Sequence, residues 1–126
     1  MYAILKKVVP LPVEKTSVMA KTVSDIEETS AKESVLQKIK SVKAELALYG
    51  IRDIGVFGSY ARGEQTDVSD IDILIDFEPH RENFDSYMAV YDILEALFGN
   101  RRIDIVTKNG LSPYIGPQIL HEVQYA

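Results

Sequence analysis

Between Ser69 and Phe77 the chain reads Ser-Asp-Ile-Asp-Ile-Leu-Ile-Asp-Phe, and this run constrains the fold more than any other. Side chains alternate faces along a strand, so Asp70, Asp72, Leu74 and Asp76 share one side while Ile71, Ile73 and Ile75 share the other. The isoleucine row has to be buried, which requires a sheet with a packed layer against it. On the opposite side Asp70 and Asp72 stand next to each other at the strand's start, where two carboxylates repel unless a cation lies between them. Upstream lies the segment Gly58-Ser59-Tyr60-Ala61-Arg62-Gly63, with ten residues separating Ser59 from Asp70. Gly58 lets the backbone come close to a ligand, the free N–H groups opening the next helix suit a phosphate oxygen, and Ser59 adds a hydroxyl.

The rest of the chain frames this pair of features. Ser30-Ala31-Lys32-Glu33 has capping-box spacing, and Val35, Ile39, Val42 and Leu46 continue as an apolar stripe, which predicts one helix ending at Gly50. Ile51 to Phe57 reads as a buried strand, Ser59 to Arg62 as the start of a short helix, Gly63 to Val68 as a polar loop and Asp70 to Phe77 as the second strand. Phe84, Tyr87, Met88, Tyr91, Leu94 and Leu97 or Phe98 recur at helical spacing before Gly99-Asn100. Arg102 to Thr107 predicts a third strand, and Pro113 and Pro117 allow only a turn and a short helix carrying Ile119, Leu120 and Val123. The order predicts a compact α/β domain over residues 30–126, preceded by an arm and linker over residues 1–29, where Pro10 and Pro12 interrupt a strand-like start.

Composition narrows the function classes. With 126 residues there is room for one domain and a core, but not for separate template-gripping modules. A net charge of −5 argues against a protein that holds nucleic acid by its backbone, and favours a small nucleotide held through a divalent metal or a basic protein partner. The absence of cysteine removes disulfides and thiolate metal sites. No apolar run approaches the roughly 20 residues of a membrane span, and no secretory signal opens the chain, so a cytoplasmic protein without membrane contact is expected.

Hard oxygen ligands such as Asp70 and Asp72 suit Mg²⁺ or Mn²⁺, whose shell is completed by phosphate oxygens and water. A third carboxylate is expected where one metal must also activate an attacking hydroxyl, and Asp104, between Ile103 and Ile105 on the third strand, is the candidate, making three aspartates (Asp70, Asp72 and Asp104) around two metals. Arg62 either reaches a phosphate or orients the loop through a local carboxylate. Asp76 lies roughly 13 Å along the strand from Asp72, too far for the same ion, and is expected to face solvent. His80, His121 and Lys108 read as surface residues, and Tyr87, Met88 and Tyr91 as a helix's core face.

The combination G-S-x-A-R-G, ten residues, D-x-D and a lone Asp on the next strand resembles the nucleotidyltransferase superfamily typified by DNA polymerase β. The length and the wording of the strand resemble its minimal branch, over roughly residues 34–126. The resemblance implies a palm-like fold, a small mixed β-sheet flanked by helices, and a two-metal transfer of a nucleoside monophosphate from ATP or another triphosphate; with a chain too short to hold a template, the leading expectation is template-independent transfer of AMP from ATP. It further implies that Gly58 and Ser59 hold the phosphates, that Asp70 and Asp72 bind metal, and that Asp104 helps activate the acceptor. Many members of that branch are antitoxins of a HEPN-domain toxin, and some adenylylate a tyrosine on it. Two rival expectations remain beside this one: a non-catalytic module that neutralises a toxin by occlusion, and transfer to a small molecule such as an aminoglycoside.

Overall fold

A computed structural model describes residues 30–126, so the expectations for the arm over residues 1–29 lie outside the described residues. Helix α1 runs Ala31–Lys40 and begins as the capping box requires, with the Ser30 hydroxyl accepting from the Glu33 N–H at 3.1 Å. It does not continue to Gly50. Ser41 turns its hydroxyl back onto the Lys38 carbonyl at 2.5 Å, Val42 leaves helical geometry at φ −116°, and a separate short helix α2 follows over Lys43–Ala47. The predicted single helix is therefore two, although Val35, Ile39 and Leu46 are all buried as the stripe requires.

Strand β1 (Ile51–Phe57) leads into the short helix α3 (Gly58–Arg62), and strand β2 (Ile71–Phe77) follows the polar loop. Helix α4 (Phe84–Phe98) is capped by the Asn83 side chain, which accepts from the Ser86 N–H at 2.8 Å. Strand β3 (Ile103–Thr107), a 3₁₀ turn at Lys108–Gly110, helix α5 (Gly116–Glu122) and a two-residue strand β4 (Gln124–Tyr125) complete the order. The sheet is mixed, in the order β3-β2-β1-β4: β1 is antiparallel to both β2 and β4, and β2 is parallel to β3. The parallel pair is connected through α4, as a crossover demands.

Two apolar clusters sit on the two faces of this sheet. On one, Ile54, Val56, Ile71, Ile73, Ile75 and Phe77 pack with Val35, Ile39, Val90 and Leu94 of α1 and α4. On the other, Phe57 and Leu74 pack with Ile119 and Val123, so α5 covers the middle of the face that carries the aspartates. Gly55 makes that covering layer fit, because a Cβ there would lie 2.7 Å from the Gln124 carbonyl and 2.8 Å from a Val123 methyl. Phe84 stands apart from the predicted stripe: it is 75 % exposed, and Val90 takes the buried position on α4. Ile73→Ala should therefore cost about 3 kcal/mol of stability, while Phe84→Ala should stay within about 0.5 kcal/mol. Urea denaturation of both variants checks this; equal costs would contradict the layer assignment.

Candidate active site

Strand register builds the site. In the parallel pair Asp72 lies opposite Asp104, and in the antiparallel pair it lies opposite Phe57, the last residue before the Gly58-Ser59 turn. Neighbouring strands are about 4.8 Å apart, so a single cross-section of the sheet holds Asp104, Asp72 and the turn in a row. Gly58 adopts φ +73°, and a Cβ on it would fall 2.1 Å from Asp72 Oδ2. No side chain fits there. The glycine anticipated for close approach is thus pressed against the carboxylate itself, and Ser59 follows at the opening of α3 in a half-buried position.

The three aspartates differ in surroundings. Asp72 is half-buried, and Asp104 is exposed at the sheet edge. Asp70, one residue before β2, places Oδ1 2.9 Å from Arg102 Nη2, an ion pair whose angles fall outside hydrogen-bond geometry. The Asp72 carboxyl is pushed up to about 6 from its ordinary 3.8. Burial is the largest cause, followed by the charges of Asp104 and Asp70; Glu122 adds to it and Arg62 opposes it. Burial and the Asp104 charge also push the Tyr87 phenol up.

Uncompensated negative charge at hard oxygen donors is what a divalent cation would relieve. Among the described residues no three Asp, Glu, His or Cys side chains converge closely enough to enclose an ion by themselves. The donor set therefore fits an ion that draws on one or two carboxylates and takes its remaining oxygens from phosphate and water, the usual habit of Mg²⁺.

One residue behaves differently from the sequence reading, one takes the carboxylate-pairing role that was one of its two expected roles, and one was missed. Asp76 does not face solvent: it is 6 % exposed, hydrogen-bonded by Arg52 Nη2 at 2.8 Å, with Lys108 Nζ at 4.0 Å. A register shift between Ile51 and Asp53 brings Arg52 to that side of the sheet, where it also lies 3.7 Å from Asp53. Arg62 pairs with carboxylates, donating from Nε to Glu64 at 2.9 Å and from Nη1 to the two Glu122 oxygens at 3.1 and 3.3 Å. Glu122 drew no attention in the sequence because it lies 64 residues from Gly58, whose N–H it nevertheless accepts at 2.7 Å. No local pattern links the two positions; only the α5–β4 return does. His80 and His121 are exposed, as expected.

The sequence model of the nucleotidyltransferase domain matches residues 31–126. The chain belongs to the nucleotidyltransferase family. Its fold agrees: a solved structure of a candidate minimal nucleotidyltransferase superposes with a TM-score of 0.64 at 35 % identity, covering 73 % of this chain and 92 % of that one. Among curated relatives, the protein adenylyltransferase MntA of Thermococcus cleftensis is 43 % identical over 95 residues, spanning 71 % of this chain and 94 % of the relative. A toxin-antitoxin crystal structure with AMP-PNP shares the fold at 18 % identity, with a TM-score of 0.54 over 75 % of this chain and 71 % of that one. No helix among the described residues is long and apolar enough to cross a membrane.

The raised Asp72 value has a consequence for a nucleotidyltransferase free of metal. An acid whose folded pKa exceeds its unfolded one destabilises the fold above both values and not below them, so this cost should grow as pH rises from about 4 to about 6 and then stay constant. Asp72→Asn should raise the melting temperature of the metal-free protein at pH 7.5 and leave it nearly unchanged at pH 4. Scanning calorimetry in EDTA checks this; a variant less stable than the parent at pH 7.5 would contradict the assignment.

Proposed function

We propose that this nucleotidyltransferase transfers AMP from MgATP to a hydroxyl, the tyrosine side chain of a cognate HEPN-domain toxin, and so acts as that toxin's antitoxin. The observation that carries the reading is the row Asp104–Asp72–Gly58 across adjacent strands. A phosphate-sized ligand resting on the turn at Gly58 and Ser59 would meet the Asp70–Asp72 carboxylates on one side, and an incoming hydroxyl would meet Asp104 on the open edge. The protein adenylyltransferase name of the Thermococcus relative and the toxin-antitoxin neighbour with AMP-PNP support the acceptor class.

In this reading each group has a distinct task. The Gly58–Ser59 turn holds the triphosphate, Gly58 by allowing close backbone approach and Ser59 by its N–H and hydroxyl, with Arg62 as a further phosphate contact. Asp70 and Asp72 would hold the divalent ions, Mg²⁺ or Mn²⁺, that neutralise charge on the phosphates and lower the pKa of the attacking hydroxyl. Asp104, the most exposed of the three aspartates, accepts that proton or orients the hydroxyl that loses it. The acceptor oxygen bonds to the α-phosphorus as the bond to pyrophosphate breaks, so AMP ends on the acceptor and pyrophosphate leaves.

α-labelled ATP, Mg²⁺ and the cognate HEPN-domain toxin should yield a labelled toxin, with a mass increase of one or more AMP. Asp104→Asn should slow labelling by roughly 100-fold or more, and Asp70→Asn with Asp72→Asn should abolish it. Unchanged labelling in the double variant would refute the mechanism. Tight neutralisation of the toxin by that variant without nucleotide would establish occlusion instead, and labelling of an aminoglycoside without any protein acceptor would establish a small-molecule substrate.

A further inference from the structure

The N–H that opens α3 is capped in an unusual way. Phe57 stands at the N-cap with no side chain to offer, and the acceptor comes from the far end of the domain: Glu122 Oε2, 2.7 Å from the Gly58 nitrogen. The same carboxylate receives Arg62 Nη1 through both oxygens. Glu122 thus joins the two parts of the turn that face a phosphate, the glycine at its start and the arginine at its end.

An ordinary ion pair on the surface would be worth little and would carry no such consequence. Three features set this one apart. The Glu122 side chain is only 16 % exposed. It is also rigidly mounted, because Ile119 and Val123 on either side of it are buried and β4 is hydrogen-bonded to β1 at Gly55 and Val56. Finally, it adds negative charge near Asp72, whose carboxyl it helps push up. A fourth carboxylate next to a triphosphate is electrostatically costly unless its neighbour Arg62 offsets it.

The bonding of Arg62 shows what that cost sustains. Among the described residues its bonds run through Nε, to Glu64, and Nη1, to Glu122, which leaves Nη2 for a phosphate oxygen. An unrestrained arginine side chain would have to give up its rotamer freedom on binding; one already held at two nitrogens has lost most of it beforehand.

We infer that Glu122 is a positioning residue for the nucleotide, a fixed carboxylate that sets the Gly58 turn and aims Arg62 at the triphosphate. It acts through Arg62 and Gly58 and touches no reacting atom. The inference rests on the nucleotide reading above, and the test separates the two.

Titration calorimetry with Mg²⁺·AMP-PNP is run on the parent, Glu122→Gln, Arg62→Ala and the double variant, alongside steady-state kinetics with ATP. Glu122→Gln keeps an acceptor for the Gly58 N–H but removes the charge that holds Arg62. It should weaken nucleotide binding roughly ten-fold, raise KM for ATP to match, and leave kcat within about threefold. The double variant should bind no more weakly than Arg62→Ala alone. Should Glu122→Gln fail to fold by melting temperature, Glu122→Asp replaces it, with the same loss expected because the shortened carboxylate cannot reach both partners. Binding by the Glu122 variant as tight as or tighter than the parent's, or losses that add in the double variant, would overturn the inference. A parent chain that does not bind Mg²⁺·AMP-PNP would instead overturn the nucleotide reading itself.

Discussion

The structure depends on the parallel pairing of β2 with β3, which sets Asp72 directly across from Asp104 while Gly58 closes against Asp72 from the other side. Nothing in that row is favourable by itself. Two carboxylates on neighbouring strands about 4.8 Å apart repel, and partial burial of one of them adds a desolvation cost. The row is held because the alternate positions of the same strands, Ile71, Ile73, Ile75 and Ile105, are buried against α1 and α4. A one-residue slip of β2 would turn those isoleucines to the α5 face and lose the core, so the register that secures burial also enforces the clustered charge. The site is thereby a strained electrostatic arrangement maintained by an apolar one, with the strain open to relief by a cation and a nucleotide.

The parts legible in the sequence were those in which chemistry and local period coincide. The Ser-Asp-Ile-Asp-Ile-Leu-Ile run showed its two faces by alternation alone, and Gly58 was marked by a break between a buried strand and a helix. The parts that were not legible depend on contacts between distant positions. Asp76 has the parity of Asp72, and only the register shift in β1 reveals that Arg52 comes across to bury it. Helix α1 has an unbroken apolar stripe, yet the Ser41 hydroxyl competes for a backbone carbonyl and divides it. Strand β4 is two residues long and carries no period at all. Glu122 is visible only after β4 has folded back along β1, which is the step that delivers it to Gly58.

Membership of the nucleotidyltransferase family, with the matched fold, gives these residues a common chemical context. The two faces of the sheet divide the labour. One face is packed and featureless; the other holds the aspartates at one end, the Arg52–Asp76 pair at the other, and α5 between them. Helix α5 has two functions in this arrangement: Ile119 and Val123 seal the apolar middle, and Glu122 reaches the Gly58 turn. Core packing and the geometry of the Gly58 turn meet on one short helix.

The central claim is that the Asp72–Asp104 row and the adjoining turn form one site for a divalent ion together with a nucleotide. Electron paramagnetic resonance of Mn²⁺, titrated with the protein in the presence and absence of AMP-PNP, tests it most directly. The signal of free and nucleotide-bound Mn²⁺ should change to that of protein-bound ion with the parent chain when AMP-PNP is present, and Asp72→Asn should abolish the change. Identical spectra for parent and Asp72→Asn would contradict the account.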